Sequence, residues 1–427
     1  MKKRLPLIIV AAIVAIVVGL NISRKDQNYR DDGQNPKEKV IKFKMHLYME
    51  NSGSMDGFVT ENTEFKDALE HLLIMLNDKY GTPSISFINN QIYDTLGIDK
   101  GITHFCRQLT PKAIHLGNTG SSNINDIFRM ILNKTDNNTV SVLVSDCVYS
   151  IKGNNAQSLL ANQKNLTQNA FMEALKKNNG DLATIVLQCS SKFNGYYYDM
   201  NDKEIAYQGR RPYYIIFVGK SAYIKDLYAK MNFTKEDYVG LLNSYTMTSK
   251  GISLDEKNSS IITDDNLLAN VDRIKPDNRK LGIESITTRG GSPFTIAVGV
   301  DAGSFFLDSS YYLDKNNYKV EPSTVKVKSV GKIDKQSAAF GDCASFSKPY
   351  YLQLEGTNQP SEISVSMIYN IPSWIYSSST DDDAHGVPTK NVSFGISYMM
   401  EGINAAFKEK NPLKTIFNLK FNINNYK

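Results

Sequence analysis

The sequence predicts an α/β protein: a mainly parallel sheet with helices on both faces, followed by a β-rich, sandwich-like C-terminal domain. Three observations point there. Between residues 40 and 231, short apolar runs alternate with stretches of helical periodicity, the pattern of strands joined by crossover helices. The first of these runs, within residues 42–59 (KFKMHLYMENSGSMDGFV), is apolar at nearly every position from Met45 to Met49, as in a strand buried on both faces. From Ser292 onward the pattern changes to short β-branched and aromatic runs separated by turn residues at roughly regular spacing.

The elements follow in order. Residues 5–20 (LPLIIVAAIVAIVVGL) come after Lys2, Lys3 and Arg4. These sixteen residues span ~24 Å at ~1.5 Å each, slightly less than a ~30 Å hydrocarbon core. Residues 1–22 therefore read as a membrane anchor or a signal segment. The want of a small-x-small cleavage site near Asn21 favours an uncleaved anchor through residues 5–22, with the body extracytoplasmic, periplasmic or at the cell surface. Residues 23–39 are charged and lack apolar period, and read as a linker.

A helix is expected next, because Phe65, Ala68, Leu69, Leu72, Leu73 and Leu76 recur on one face and Gly81 follows. Residues 84–93 read as a strand or a hairpin broken at Asn89-Asn90, and 103–109 fit either state. Ile124, Ile127, Phe128, Ile131 and Leu132 mark a second helix, residues 140–144 a strand and 164–177 a further helix. Residues 182–189 read as a strand, 193–208 as a Tyr-rich hairpin, 213–218 as a strand and 221–231 as a helix. Residues 232–289 are polar and mixed and read as a connector. In 290–427, strands are expected at 294–300, 304–313, 324–330, 350–354, 362–369 and 417–423, with a helix at 394–408.

Composition narrows the function. A net charge of +5 over 427 residues gives no nucleic-acid signature. The four cysteines, Cys106, Cys147, Cys189 and Cys343, contain no C-x-x-C pair, which removes zinc-ribbon and thioredoxin-type readings. Cys147 and Cys189 end two expected strands and are candidate neighbours, either bonded or as buried thiols. None of the five histidines pairs by spacing with another, and His46 and His71 read as structural. Gly219-Lys220-Ser221 fails as a phosphate loop because position 214 is Tyr rather than Gly. Asp381-Asp382-Asp383 and Gly209-Arg210-Arg211-Pro212 read as a solvated loop and a solvated turn.

The chemistry concentrates in three polar loops. The first strand ends in Glu50, Ser52 and Ser54 at alternate positions, Ser122 stands at a helix start, and Ser145-Asp146 ends the strand at 140–144. Ligands of open α/β sheets gather at the carboxyl ends of strands, and closely spaced oxygen donors suit Mg²⁺ or Ca²⁺.

ENSGS (50–54), GSSNI (120–124) and SDC (145–147) resemble the metal-site loops of the von Willebrand factor A domain family, over residues 40–231. That resemblance implies a Rossmann-like sheet wrapped by helices and a Mg²⁺ or Mn²⁺ ion whose shell a partner protein completes with an exposed Asp or Glu. It makes Glu50, Ser52, Ser54, Ser122 and Asp146 the metal ligands, with Thr119 as the alternative to Ser122. Glu50 stands where the family has Asp, Ser122 where it has Thr and Cys147 where it has Gly. The expected function is a membrane-tethered protein-binding module with no catalytic residues. The alternatives are a structural scaffold of a membrane complex with a vestigial metal site and, less favoured, a metal-dependent hydrolase using Ser52 or Ser54.

Overall fold

The computed structural model describes residues 42–427 except 95–97, 121, 152–154, 277–280, 289–292, 306, 337, 390 and 424–427. The expected anchor and linker, residues 1–39, lie outside the described residues. No described helix is long and apolar enough to cross a membrane.

Seven strands form the central sheet: β1 Lys44–Glu50, β2 Ser84–Ile88, β3 Ile92–Asp94, β4 Thr139–Ser145, β5 Ala183–Tyr198, β6 Glu204–Gly219 and β7 Leu241–Thr248, in the order β3-β2-β1-β4-β6-β5-β7. Helices α1 Asp56–Val59, α2 Glu64–Tyr80, α3 Ile102–Gln108, α4 Pro111–Ile114, α5 Ile124–Lys134, α6 Ala156–Lys177 and α7 Ser221–Met231 connect them. Both faces of β1 are used. Met45, Leu47 and Met49 join a core with Phe65, Leu69, Leu72 and Leu76 of α2 and with Ile224 and Leu227 of α7. Tyr48 points into the other core, with Ile127, Phe128 and Ile131 of α5 and Phe171 and Leu175 of α6. A strand covered on two sides has no polar alternation, which is why its run reads as continuously apolar.

The sheet is mixed, which corrects the expectation of a mainly parallel one. Only β1 pairs in parallel, with β2 and with β4; β2·β3, β4·β6, β5·β6 and β5·β7 are antiparallel. The helix α6 between β4 and β5 suggests adjacent parallel strands. β5 does run in the direction of β4, but its hairpin partner β6 lies between them. The runs at 182–189 and 213–218 are therefore halves of two 16-residue strands, continuous with the Tyr-rich hairpin. Arg210 and Arg211 lie inside β6 rather than in a turn. Beyond the end of β4 the hairpin continues from Cys189↔Tyr213 to Tyr198↔Glu204, above the carboxyl ends of β1 and β4.

The stretch expected as a connector supplies strands. Besides β7 these are β8 Ile252–Leu254, β9 Ser259–Ile262 and the antiparallel ribbon β10 Val271–Pro276 with β11 Ile283–Thr288. They are short and polar-rich and sit at edges, so their period is weak. The remaining elements are β12 Phe294–Asp301, α8 Ser309–Leu313, β13 Tyr318–Glu321, β14 Val325–Lys332, β15 Pro349–Gly356, β16 Glu362–Met367, α9 Ser373–Ser377, β17 Ser379–Thr380, β18 Ser393–Phe394, α10 Ile396–Lys410 and β19 Phe417–Asn422. The run at 304–313 is not a strand: Asp308 caps α8 there by accepting from Ser310 N.

Two four-stranded sheets result, β14-β15-β12-β9 and β13-β16-β19-β8. Ile296, Val298, Leu352 and Leu354 of the first share one core with Val365, Met367, Leu419 and Phe421 of the second. That core is the same one that buries α5 and α6. The helix α10 packs on α6, where Phe407 meets Phe171 edge-on at 5.8 Å and Lys164 pairs with Glu401 at 2.7 Å. Residues Lys42–Lys427 form one compact unit.

Candidate metal centre

The parallel pairing Met49↔Val144 brings Glu50 and Ser145 to the same edge of the sheet. The loop after β1 then turns away in a short 3-10 helix, Gly53–Met55, held where Gly53 N donates to Thr119 O at 3.0 Å. Asn51 donates to Ile114 O at 2.8 Å and Leu116 O at 3.0 Å, which ties in the segment leading to Ser122.

One pocket results, and Glu50, Ser52, Ser54, Ser122 and Asp146 all line it. Its cavity is ≈ 30 Å³, enough for an ion or a water and far below the ~300 Å³ lower range of metabolite sites. Glu50, 3% exposed, is the hub. Its Oε1 accepts from Ser52 Oγ at 2.7 Å and from Ser122 Oγ, and its Oε2 accepts from Ser145 Oγ. Ser52 and Ser54 hydroxyls lie 3.1 Å apart. Thr119 lines the pocket too, but it is Ser122 that bonds to Glu50.

A hydroxyl has one proton and two lone pairs. With their protons on Glu50, Ser52 and Ser122 keep oxygen lone pairs for a cation. Glu50 thus orients the hydroxyls and supplies negative charge behind them. The donors are all oxygen, the chemistry of Mg²⁺ or Mn²⁺. Among the described residues no group of three or more His, Cys, Asp or Glu side chains is placed to hold a metal ion. The candidate set therefore depends on its serines.

No family model, no curated protein and no solved structure matches this chain.

The electrostatics are those of two carboxylates in little water. Burial, and then the neighbouring Asp146 charge, push the Glu50 carboxyl up to about 7, against the three serine hydrogen bonds. Burial also raises Asp146, while a bond from Ser54 and the Arg211 guanidinium oppose it. Arg211 is 2% exposed, sits 4.4 Å over the Tyr197 ring, and donates to Val392 O at 3.3 Å. A solvated turn is thus the wrong reading of residues 209–212. Arg210 pairs with Glu64 at 2.7 Å.

Several site residues were not signalled by the loops. Ser145 reads as a strand terminator, yet it bonds Glu50 and accepts from Cys147 N at 2.8 Å. Tyr197, Tyr198, Asp199 and Asp202 come from the end of the β5–β6 hairpin to wall the pocket. The YYYD run is the sequence trace of that wall, but only the hairpin's length carries it over the site. Asp383, expected in a solvated loop, is 3% exposed; it accepts from Met200 N at 2.9 Å and from the Tyr197 hydroxyl. Cys147 holds φ 54, a left-handed backbone that usually falls to Gly. All four cysteines are free and buried; Cys147 and Cys189 belong to different cores.

Proposed function

We propose that this chain is a membrane-tethered, von Willebrand A-like binding module. It holds Mg²⁺ or Mn²⁺ at the top of its sheet through Ser52, Ser54, Ser122, Glu50 and Asp146, and a partner's Asp or Glu completes the shell. The tether is residues 5–22 and the body is extracytoplasmic. One observation carries the reading: five residues from three separate loops, picked by residue type and position alone, line one small oxygen-rich pocket. The ≈ 30 Å³ cavity favours ion capture over turnover of a metabolite.

The test is calorimetry with Mg²⁺ and Mn²⁺ on the protein and on its Asp146→Ala variant. Saturable binding that the substitution removes is the expected result. Equal binding by both proteins, or none by either with and without a carboxylate ligand, sinks the proposal.

The scaffold reading has one observation in its favour. Both Glu50 oxygens already accept from serines, so the loops close on themselves through their own hydrogen bonds. It predicts no metal binding and full function in Asp146→Ala.

A further inference from the structure

A second cavity of ≈ 400 Å³ lies on the far edge of the sheet, between β7, the start of α8 and the segment leading into α9. It meets another of ≈ 280 Å³, with which it shares Ser244, Asp308, Ser310 and Trp374. We propose that this groove binds an alkylammonium or guanidinium group, carried either by a small amine or by a Lys or Arg side chain of a peptide. The inference is independent of the metal centre.

Three features argue for a cation. The larger cavity, where the cation would sit, is lined by two carboxylates, Asp308 and Asp314, and by no Lys or Arg; the smaller one adds a single lysine, Lys235. Each carboxylate caps its own short helix through Oδ1, to Ser310 N at 2.8 Å and to Asn316 N at 2.9 Å. That leaves the Oδ2 atoms for other work; the Asp308 one has only a long contact of 3.4 Å from Ser244. The Lys348 ammonium, which feels Asp308, is held over the Tyr312 ring at 5.4 Å and is not part of the lining.

The rest of the lining is aromatic. Trp374 is half-buried, and Tyr376 is 51% exposed. Tyr245 and Tyr311 lie near-parallel at 6.5 Å, and their hydroxyls reach main-chain oxygens of Ile368 and Asn370. With those hydroxyls engaged, the rings contribute chiefly π surface. Aromatic faces beside carboxylates attract organic cations and repel anions, and indole is the strongest such face. The volume is that of a small-ligand site rather than of a hydrated metal ion.

Trp374 is the single tryptophan of the chain, so its emission reports on this groove alone. The full chain is titrated with butylammonium, with argininamide and with a short capped Ala-Arg-Ala peptide. Butyrate and methyl glucoside, at matched ionic strength, are the controls. Equilibrium dialysis of argininamide runs in parallel, so that a silent fluorophore does not decide the outcome. Saturable binding of the cations is expected, weakened by added salt and absent with both controls. Asp308→Asn with Asp314→Asn should weaken it roughly tenfold. Asn also caps helices, so the melting temperature should hold. A peptide that binds more tightly than argininamide indicates a protein partner, and equal affinities indicate a free amine. No dialysable binding, binding unchanged in the double variant, or binding of methyl glucoside alone overturns the proposal.

Discussion

Glu50 carries the opposing demands of the candidate metal centre. Its carboxyl is buried, faces Asp146 and accepts three hydroxyl protons. A carboxyl whose pKa is raised on folding favours the fold while protonated. That contribution is complete below about pH 4.5 and is lost as pH rises through about 7. The apoprotein should therefore lose melting temperature across this window, by up to about 3 kcal/mol in stability. Glu50→Gln should flatten the profile. Under the metal-binding proposal, added Mg²⁺ should restore the loss on the alkaline side. Metal uptake near neutral pH should also expel the Glu50 proton, seen as a binding heat that changes with the ionisation enthalpy of the buffer. A heat independent of buffer would mean that Glu50 stays protonated or takes no part. Glu50, Ser52, Ser54 and Asp146 were legible because apolar runs mark strand ends and the polar residues follow directly, and Ser122 because it precedes a helix of clear apolar period. Ser145 was not, since a serine at a strand end looks the same whether it faces solvent or a buried carboxylate.

At the scale of elements, the β5–β6 hairpin was legible in pieces, as a strand, a Tyr-rich hairpin and a second strand; that these pieces join into two 16-residue strands, and where the pair sits in the sheet, was not. Order within a sheet depends on which long-range pairing wins, and local pattern carries no record of that. The hairpin is fixed over the site by a close approach of two glycines. A Cβ on Gly195 would stand 2.8 Å from Gly57 Cα, and one on Gly57 would enter the Phe193 ring at 2.5 Å. Gly195→Ala should therefore push α1 off the hairpin and cost about 1–3 kcal/mol, read as a lower urea midpoint. If α1 carries the loop of Ser52 and Ser54 with it, the metal-binding proposal predicts a lower metal affinity in the same variant. An unchanged urea midpoint would show that the contact is not tight. At the start of α2, Glu64 accepts from Lys192 N at 2.9 Å and pairs with Arg210 at 2.7 Å. Burial works against the charge, yet these bonds hold its carboxyl down near 2. Its contribution, modest at so exposed a site, is present above about pH 4.5 and lost as pH falls toward 2, so Glu64→Gln should matter least in acid.

For the whole molecule, the core does not respect the boundary that pattern suggests at residue 231. The strand β7 completes the sheet from beyond it, and α10 covers α6 from the other end of the chain. A fragment ending at residue 231 would expose Phe171, Val186 and their neighbours. It should lack a cooperative thermal transition, whereas residues 42–427 should melt in one step by circular dichroism. Two separate transitions in the longer chain would restore the two-domain reading. The change of composition at Ser292 marks a change of architecture and not an independently packed body. The hairpin wall, finally, bears on kinetics. Tyr197 and Tyr198 line the pocket, so under the binding-module proposal a partner would have to arrive within a narrow range of angles. That places association toward the slow end of ordinary protein encounters, about 10⁵ M⁻¹s⁻¹. Asp199 and Asp202 also stand at this wall and, under the same proposal, would repel an incoming carboxylate. Screening would relieve that repulsion, so stopped-flow association should quicken with added salt, the reverse of an electrostatically steered encounter.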